Sequence, residues 1–331
     1  MRFLYLFIAF MSMLSTSVLA HHGNTEFDMG TQRRVNGTLT DIIWGNPHII
    51  LTLATQNAEG DPVSLEIEAG SPNVLRVGGF NRQSLVVGET VTALVSPSRR
   101  FPEETSYGYE ITKADGSVVP LVGAGIRRPQ TNPATDSLFS TWVSTAQSFT
   151  NFVRPLRTWP LNDEASAIRA RFTPVESGQA RCVPVAAPMV MLYPLVTAFE
   201  EKTDHILFTS EWLGAQRLFY TDGRGHPPIS ERYQQGHSIG RWEGETLVVD
   251  TTNFTDQETG GVPSGSQRHL VERFTLADGG RALHYAYVLE DPQYLTAAVT
   301  GEGEYRHRPD LQLTQSDCDL ELAQRFFREF E

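Results

Sequence analysis

Hydrophobic and polar residues alternate along long stretches of the chain, and this two-residue period is typical of half-buried antiparallel strands. Val63, Leu65 and Ile67, for example, are separated by polar residues. The alternation predicts five strands in the first third of the chain, at Val35–Trp44, His48–Thr55, Val63–Glu68, Ser84–Val95 and Tyr107–Lys113. Ser71 and Pro72 have the residue types of a helix cap and a first helical position, so a short helix is expected after the third strand. This β-β-β-α-β-β order predicts a small barrel of the oligonucleotide/oligosaccharide-binding (OB) type.

The alternation stops in the stretch 123–175, which predicts a linker between two domains. Leu138, Trp142 and Phe149 belong to an apolar series with helical spacing, so part of this linker is expected to dock on a barrel. A second short helix is predicted at Asn162–Phe172, because acidic residues fill its first turn and basic residues its last.

A second series of alternating segments lies within residues 176–331, and glycine-containing turns such as Asp222-Gly223 separate the segments. The predicted strands are His205–Ser210, Gln216–Thr221, Ser238–Trp242, Thr246–Phe254, His269–Leu276, Arg281–Leu289, Tyr294–Tyr305 and Leu311–Gln315. They predict an antiparallel, lipocalin-like barrel, and the alternative is a twisted sheet wrapped on the linker helices. An amphipathic helix at Leu320–Phe330 is expected to close this mainly β chain.

The first twenty residues have the three parts of a cleavable export signal. Arg2 supplies a positive charge, Phe3–Leu14 is apolar, and a zone of small residues ends at Ala20. Residues 1–20 are therefore predicted to be a signal peptide. The mature chain would begin at His21 and is expected in the periplasm or outside the cell.

The chain contains two cysteines, Cys182 and Cys318. An even number of cysteines in an oxidising compartment favours a disulfide, which would join the start of the second domain to its end. The alternative is a pair of buried free thiols.

Composition and charge narrow the classes of function. Of 331 residues, 40% are hydrophobic, which fits a globular chain with two domains, predicted at 21–122 and 176–331. The 39 acidic residues outnumber the 27 Lys and Arg, giving a net charge of −12. Nucleic-acid binders need a basic stripe, and no Lys/Arg run here exceeds a pair, so nucleic acid is not an expected partner. No later segment has the ~18 consecutive apolar residues of a spanning helix, so an integral membrane protein is not expected.

Two groups of short motifs resemble bacterial exported proteins of unknown function. In the first domain the motifs are Ala20-His21-His22-Gly23, Gly37-Thr38, Trp44-Gly45-Asn46-Pro47-His48 and Gly88-Glu89-Thr90-Val91. In the second domain, Tyr220–Pro227 and Gly236–Glu243, together with Leu247–Thr251, are similar to another uncharacterised module of exported proteins. The resemblance covers most of the mature chain and implies no established activity.

The first domain contains a candidate metal site. Cleavage after Ala20 would leave a free amine and an imidazole on His21, which can chelate one metal ion together. A third nitrogen from His22 or His48 would give the nitrogen-rich geometry that Cu(II) prefers, so copper is the candidate metal. The alternative is a solvated terminus, with His48 capping the turn after Pro47.

The second domain contains a denser polar cluster around one predicted hairpin: Asp222, Arg224, His226, His237, Asp250 and Asn253, with Tyr220 and Trp242 beside them. Glu272 alternates in phase with Leu270 and Phe274, so its side chain is expected to point inward. A buried carboxyl group near a neutral imidazole such as His237 can take a proton from a substrate and return it. The alternative is that Glu272 forms a structural ion pair with Arg241.

Three hypotheses of function follow from these residues. The first is an exported enzyme that isomerises, cyclises or hydrates a small, largely apolar molecule without a cofactor, using His237 as base or acid, Asp250 as its orienting partner, Glu272 as acid and Arg224 as an anchor for negative charge. The residues expected to contact the ligand are Asp222, His226, Tyr220, Trp242 and Asn253. The second is a binding protein for copper or an apolar ligand. The third is an envelope interaction module that uses the linker Leu138–Val153.

Overall fold

The computed structural model describes residues 26–77, 79–122, 132–259, 261–314 and 317–325. The predicted signal peptide, His21 and His22 lie outside the described residues, as does the end of the predicted closing helix. The fold is mainly β and consists of two barrels, as the alternation predicts. Within the described ranges, no helix is long and apolar enough to cross a membrane.

The first barrel is built from the segments that the alternation predicts. Its strands are β1 (Arg33–Ile43), β2 (Ile50–Gln56), β3 (Pro62–Glu68), β4 (Thr90–Pro97) and β5 (Thr105–Lys113), with a short sixth strand, β6 (Val118–Pro120), at the edge of β5. The pairings β3-β2-β1-β4-β5 are antiparallel, and a parallel β3–β5 pairing closes the barrel. This is the OB-like arrangement. Helix α1 (Pro72–Val77) lies between β3 and β4, and the Ser71 hydroxyl accepts a hydrogen bond from the Val74 amide at 3.2 Å, which confirms the predicted cap.

The second barrel is closed by nine strands in the order β10-β11-β12-β15-β16-β17-β7-β8-β9. The strands are β7 (Thr141–Ser144), β8 (Val196–Glu201), β9 (His205–Ser210), β10 (Gln216–Tyr220), β11 (His237–Glu243), β12 (Thr246–Thr252), β15 (His269–Ala277), β16 (Ala282–Glu290) and β17 (Val299–His307). A small hairpin, β13 (Gln257–Thr259) and β14 (Val262–Ser264), lies outside this ring. The remaining helices are α2 (Ala146–Val153), α3 (Asp163–Arg171), α4 (Met189–Leu192) and α5 (Leu320–Gln324).

Four details of this barrel differ from the sequence-based expectation. Strand β7 comes from the predicted linker, and β8 was not predicted because Val196–Glu201 opens with four buried residues rather than with alternation. Residues 311–314 form no strand. The Asp222-Gly223 turn does not make a hairpin, because β10 and β11 pair in parallel and the long loop 221–236 must cross between them.

The linker docks on the second barrel, as its apolar spacing predicts. Leu138, Trp142 and Phe152 are at most 5% exposed and belong to the core of this barrel. Helix α2 packs against β17, and the Ser148 hydroxyl accepts a 2.7 Å hydrogen bond from the Glu304 amide of that strand. Because the apolar side of Leu138–Val153 is buried in this core, it is not an exposed surface for a partner protein. The hypothesis of an interaction module that uses this segment therefore loses its basis.

The C-terminal segment joins the two barrels. Cys182 and Cys318 form a disulfide, as predicted. Helix α5 follows it and packs on the first barrel, where Leu322 contacts Phe27 and Ile50. Arg76 of the first barrel also forms a 2.6 Å ion pair with the buried Glu211 of the second. The closing helix therefore packs against the first barrel, although its sequence follows directly on the second.

Candidate functional site

The strand alternation of the second barrel divides the predicted catalytic residues between its two faces. Glu272 lies on the inner face of β15 and is 0% exposed. His237 on β11 and Asp250 on β12 are half-buried, and each alternates with an inward-pointing neighbour, Ser238 and Thr251 respectively. His237 and Asp250 therefore lie on the outer face. The structure does not bring Glu272 and His237 together, because the barrel wall separates them.

Inside the barrel, Glu272 forms an ion pair with Arg217 of β10, not with Arg241. The two guanidinium NH2 groups of Arg217 donate to the two carboxylate oxygens at 2.8 and 2.5 Å, and both side chains are 0% exposed. The Tyr285 hydroxyl donates a third hydrogen bond to Glu272 at 2.9 Å. A carboxylate held by three donors is not placed to deliver a proton, so the structure favours the ion-pair alternative for Glu272, with a different partner. Arg241 is exposed and pairs with Glu243.

Aromatic side chains fill the barrel around this ion pair. The rings of Phe199, Phe208, Phe219, Phe274 and Tyr285 are buried, and the centroids of their contacting pairs lie 5.1 to 6.4 Å apart. Phe219 also packs under the guanidinium of Arg217 at 4.8 Å. The described inner face is therefore a packed core that contains the Arg217–Glu272 pair. The candidate catalytic residues that remain lie on the outer face.

On the outer face, four polar side chains form a continuous hydrogen-bonded chain, here called the imidazole chain: His237, His226, Asp250 and His269. The Nδ1 atoms of His226 and His237 are 3.0 Å apart. The Nε2 atom of His226 is 3.1 Å from Oδ1 of Asp250. The Nε2 atom of His269 is 3.0 Å from the same oxygen. Two of these residues lie on β12 and β15, one opens β11, and one lies in the loop 221–236.

The hydrogen bonds of the imidazole chain restrict where the protons lie. The Asp250 carboxylate only accepts, so Nε2 of His226 and of His269 carry hydrogens. Between the two Nδ1 atoms one ring donates and the other accepts, and the base requires the tautomer in which His237 donates its Nδ1 hydrogen to His226. In that tautomer the Nε2 atom of His237 has a lone pair, and no described residue forms a hydrogen bond with it.

The groups around the imidazole chain shift the pKa values of its members in different directions. Burial, together with the neighbouring His226 and Arg224, lowers the pKa of His237, so this ring is neutral and basic near pH 7. The hydrogen bond to Asp250, assisted by Glu290, raises the pKa of His269. The same hydrogen bond, with a smaller contribution from His226, lowers the pKa of Asp250. One end of the chain is therefore a free base and the other an ion pair.

Tyr220 and Arg224 lie beside His237. The Tyr220 ring stacks on the His237 ring with centroids 5.0 Å apart, and the Arg224 guanidinium lies 3.9 Å from the centre of the Tyr220 ring. Two carboxylates hold Arg224: Asp222 at 2.5 Å and Asp204 at 3.0 Å. Hydrogen bonding to Arg224 lowers the pKa of Asp222 to about 2. Because its charge is already compensated, Arg224 is not a free anchor for an anionic group.

Asn253 shapes the loop that carries His226. Its φ of 59° lies in the left-handed region, and its side-chain amide donates to the carbonyls of Pro228 and Glu231 at 3.0 and 2.9 Å. These bonds tie loop 221–236 to the end of β12. Asn253 is 2% exposed, so it supports the loop that carries His226 and is not itself open to a ligand.

Trp242 does not belong to the site. It lies near the opposite end of β11 from His237, is 48% exposed and makes an edge contact with Phe139 of the linker. Trp242 lies five positions along the strand from His237, a distance of about 17 Å.

His48 of the first barrel is placed between the two domains. Its Nδ1 atom is 3.1 Å from the carboxylate of Glu68, and its Nε2 atom is 3.4 Å from the side-chain amide of Gln179. Both ring nitrogens therefore have protein partners, which favours a structural role for His48. His21 and His22, the other members of the predicted copper site, lie outside the described residues. In the described part of the chain, no group of three or more His, Cys, Asp and Glu side chains could hold a metal ion.

Sequence reasoning missed His269 and Arg217. His269 precedes the inward-pointing Leu270, so the alternation that placed Glu272 inside also places His269 outside, on the face of Asp250. Arg217 is in phase with the buried Phe219, but the exposed Leu218 between them obscures which set faces the core. The position of His269 on the outer face could therefore be predicted from the sequence, whereas the inward direction of Arg217 could not.

The comparisons with known proteins find a similarity that is confined to the first third of the chain. Residues 9–105 match a protein family described as a family of unknown function (DUF6152). No curated protein matches the chain. The matched residues contain the first-domain motifs up to Val91, and they end before the second barrel and its imidazole chain. The match agrees with the expected resemblance to a domain of unknown function and brings no activity to the site.

Proposed function

We propose that the protein is an acid–base catalyst whose base is His237, acting at the outer face of the second barrel. The observation that carries this proposal is the imidazole chain, in which a ring nitrogen at one end has no protein partner among the described residues and a carboxylate lies within the chain. The predicted role of Asp250 as the orienting partner is kept, with His226 as the intermediary. Glu272 is left out of the reaction, because it is paired inside the barrel.

The reaction would be a proton transfer between two positions of one substrate. Nε2 of His237 takes a proton from a C–H or O–H group, and the electron pair of that bond moves into the substrate. The resulting imidazolium donates through Nδ1 to His226, whose own Nε2–H points at Asp250, so the carboxylate stabilises the new charge through one ring. Return of the proton to a different atom gives an isomerisation or a cyclisation, and no cofactor is consumed.

The surroundings of His237 favour a largely apolar substrate. Tyr220 stacks on one side, and the Tyr233 ring lies 6.1 Å away and is 40% exposed. Ile229, in the same loop, is 63% exposed. The nearest cation, Arg224, is held by two carboxylates. A neutral molecule that stacks on the tyrosines fits this surface better than an anion does.

A generic probe tests the base before a substrate is known. 5-Nitrobenzisoxazole opens when a base removes its C3 hydrogen and the N–O bond breaks, and the phenolate product is coloured. The wild-type protein should accelerate this reaction, and His237→Gln should lower the second-order rate constant at least about tenfold, since a positioned base contributes 10²–10⁴ on its own substrate.

His284→Gln is the matched control, because His284 is another outward-facing histidine of the same barrel and pairs only with the exposed Glu302. It should leave the rate unchanged. Equal rates for the wild type and both variants would overturn the assignment of His237 as the base.

A further inference from the structure

A buried arginine at one end of the second barrel has two guanidinium nitrogens without a hydrogen-bond partner among the described residues. Arg268 directly precedes β15 and is 1% exposed. Its guanidinium lies 3.9 Å from the centre of the Phe254 ring, which covers one face of the group. Its Nε and Nη2 atoms are buried without a partner among the described residues. A charged group that has lost its water and gained no hydrogen bond is among the costliest arrangements in a folded protein.

The two unpartnered atoms define a geometry. Nε and Nη2 lie on the same edge of the planar guanidinium, and their N–H bonds point in parallel. This edge is the one that binds the two oxygens of a carboxylate or a phosphate as a bidentate pair. The Phe254 ring covers the face, so the edge is the direction left for a partner.

The neighbouring charges leave the positive charge of Arg268 without direct compensation. Asp291 is the acid that acts on it most strongly, but no ion pair within 4.0 Å joins the two described side chains. One oxygen of Asp291 accepts from the Gly265 amide at 2.7 Å, and the other has no partner. Arg217, which also faces Arg268, is neutralised by Glu272, and the exposed Asp256 acts from the surface. Burial accordingly lowers the pKa of Arg268 to about 9.

A surface cleft lies near this arginine and shares one residue, Asp256, with its charged surroundings. The cleft has a volume of about 230 Å³ and is lined by Val185, Gln234, Asp256 and Gln257 among others. Asp256 is both a lining residue and one of the charges that act on Arg268. Gln235 also reaches this wall, since its amide donates to the Val185 carbonyl at 3.0 Å while its own oxygen is buried and unpartnered. Arg268 itself does not line the cleft, so a ligand that enters there must pass the wall of the cleft to reach the buried guanidinium.

We propose that the Nε–Nη2 edge of Arg268 is a binding site for a small oxyanion, a carboxylate or a phosphate group, reached through this cleft. The site is separate from the imidazole chain and does not depend on the function proposed for His237. An anion satisfies both donors and the charge, whereas bridging water satisfies only the donors, and this difference favours the anion. The unpartnered oxygens of Asp291 and Gln235 would accept a hydroxyl or an amine of the same molecule.

Nuclear magnetic resonance of the arginine Nε–H groups tests the site in the full-length protein. Arg268 is recognised by the ring-current shift from Phe254, and by loss of its signal in Arg268→Lys where that variant folds. Acetate and inorganic phosphate are titrated separately, with sodium chloride at matched ionic strength as the control. We expect a saturable downfield shift of the Arg268 signal with one of the two anions and no shift with chloride.

The two arms of the titration distinguish the ligand chemistry. A shift with acetate assigns a carboxylate, and a shift with phosphate assigns a phosphoryl group. The signal of Arg241, an exposed arginine paired with Glu243, should not saturate in either arm. An Arg268 signal that neither anion moves, at concentrations that saturate ordinary millimolar sites, would overturn the proposal and leave buried water as the partner. The same anion should raise the thermal stability of the wild type and not that of Arg268→Lys.

Discussion

Replacing Glu272 with glutamine tests the assignment of this carboxylate to structure rather than to catalysis. The substitution keeps the shape of the side chain and removes the charge that compensates Arg217 inside the barrel. Breaking one partner of a buried pair costs about 3–5 kcal/mol, because the remaining charge is left without compensation. If the free energy of unfolding falls by about 2–3 kcal/mol per molar urea, this cost lowers the urea concentration at the unfolding midpoint by about 1–2 M. The midpoint is measured by fluorescence or circular dichroism.

Two further variants separate the buried charge from other effects. Glu243→Gln removes an exposed carboxylate that pairs with Arg241 and Arg273, and should cost less than about 1 kcal/mol. The double variant Arg217→Met with Glu272→Leu removes both charges and should be within about 2 kcal/mol of the wild type. A cost for Glu272→Gln below about 1 kcal/mol, or loss of the benzisoxazole activity in a folded Glu272→Gln protein, would refute the reasoning.

Three other predictions concern the remaining polar contacts. The pKa of His269 is raised above its ordinary 6.5, so the stability from the charged pair with Asp250 is fully present below pH 6.5 and disappears as the pH rises through the raised pKa. The difference in urea stability between wild type and Asp250→Asn should therefore narrow at alkaline pH, where only uncharged hydrogen bonds to residue 250 remain, and a constant difference would contradict this. His48→Gln should lower the free energy of unfolding by about 1–2 kcal/mol, seen in urea, and leave copper binding unchanged in calorimetry; a lost copper site would return His48 to the metal. Replacing Cys182 and Cys318 with serine should cost about 2–5 kcal/mol, since the disulfide closes a long loop, and an unchanged melting temperature would argue against this contribution.

The five main strands of the first barrel could be predicted from alternation, although the fourth begins at Thr90 rather than at Ser84, because residues 84–89 form bends and turns. The helix at Ser71 and the order of elements followed from cap chemistry and periodicity. The second barrel was harder to delimit. Strand β7 has only four residues and comes from a segment rich in proline and in helical spacing, so no local pattern distinguishes it from the linker.

The candidate site was predictable in its members and not in its geometry. His226, His237 and Asp250 were singled out from their closeness in sequence, and the structure joins them. The expected convergence with Glu272 was wrong, since alternation gives the face of a side chain but not its partner across the barrel. Arg217 reaches Glu272 from a strand that is distant in sequence, and only the closed order of strands brings the two together. The surroundings of His48 could not be predicted from the first domain alone, because Gln179, which contacts its Nε2 atom, follows the first barrel in the sequence by more than fifty residues.

The dependence of the benzisoxazole rate on pH tests the role of His237 most directly. Because burial and its neighbours lower the pKa of His237, the wild-type rate should rise with pH along a single titration whose midpoint lies below 6.5, the ordinary value for histidine. His284→Gln should show the same curve, and in His237→Gln the titration should be absent, with only the slow background remaining. A wild-type midpoint at or above 6.5, or the same titration in His237→Gln, would contradict the proposal that His237 is the base.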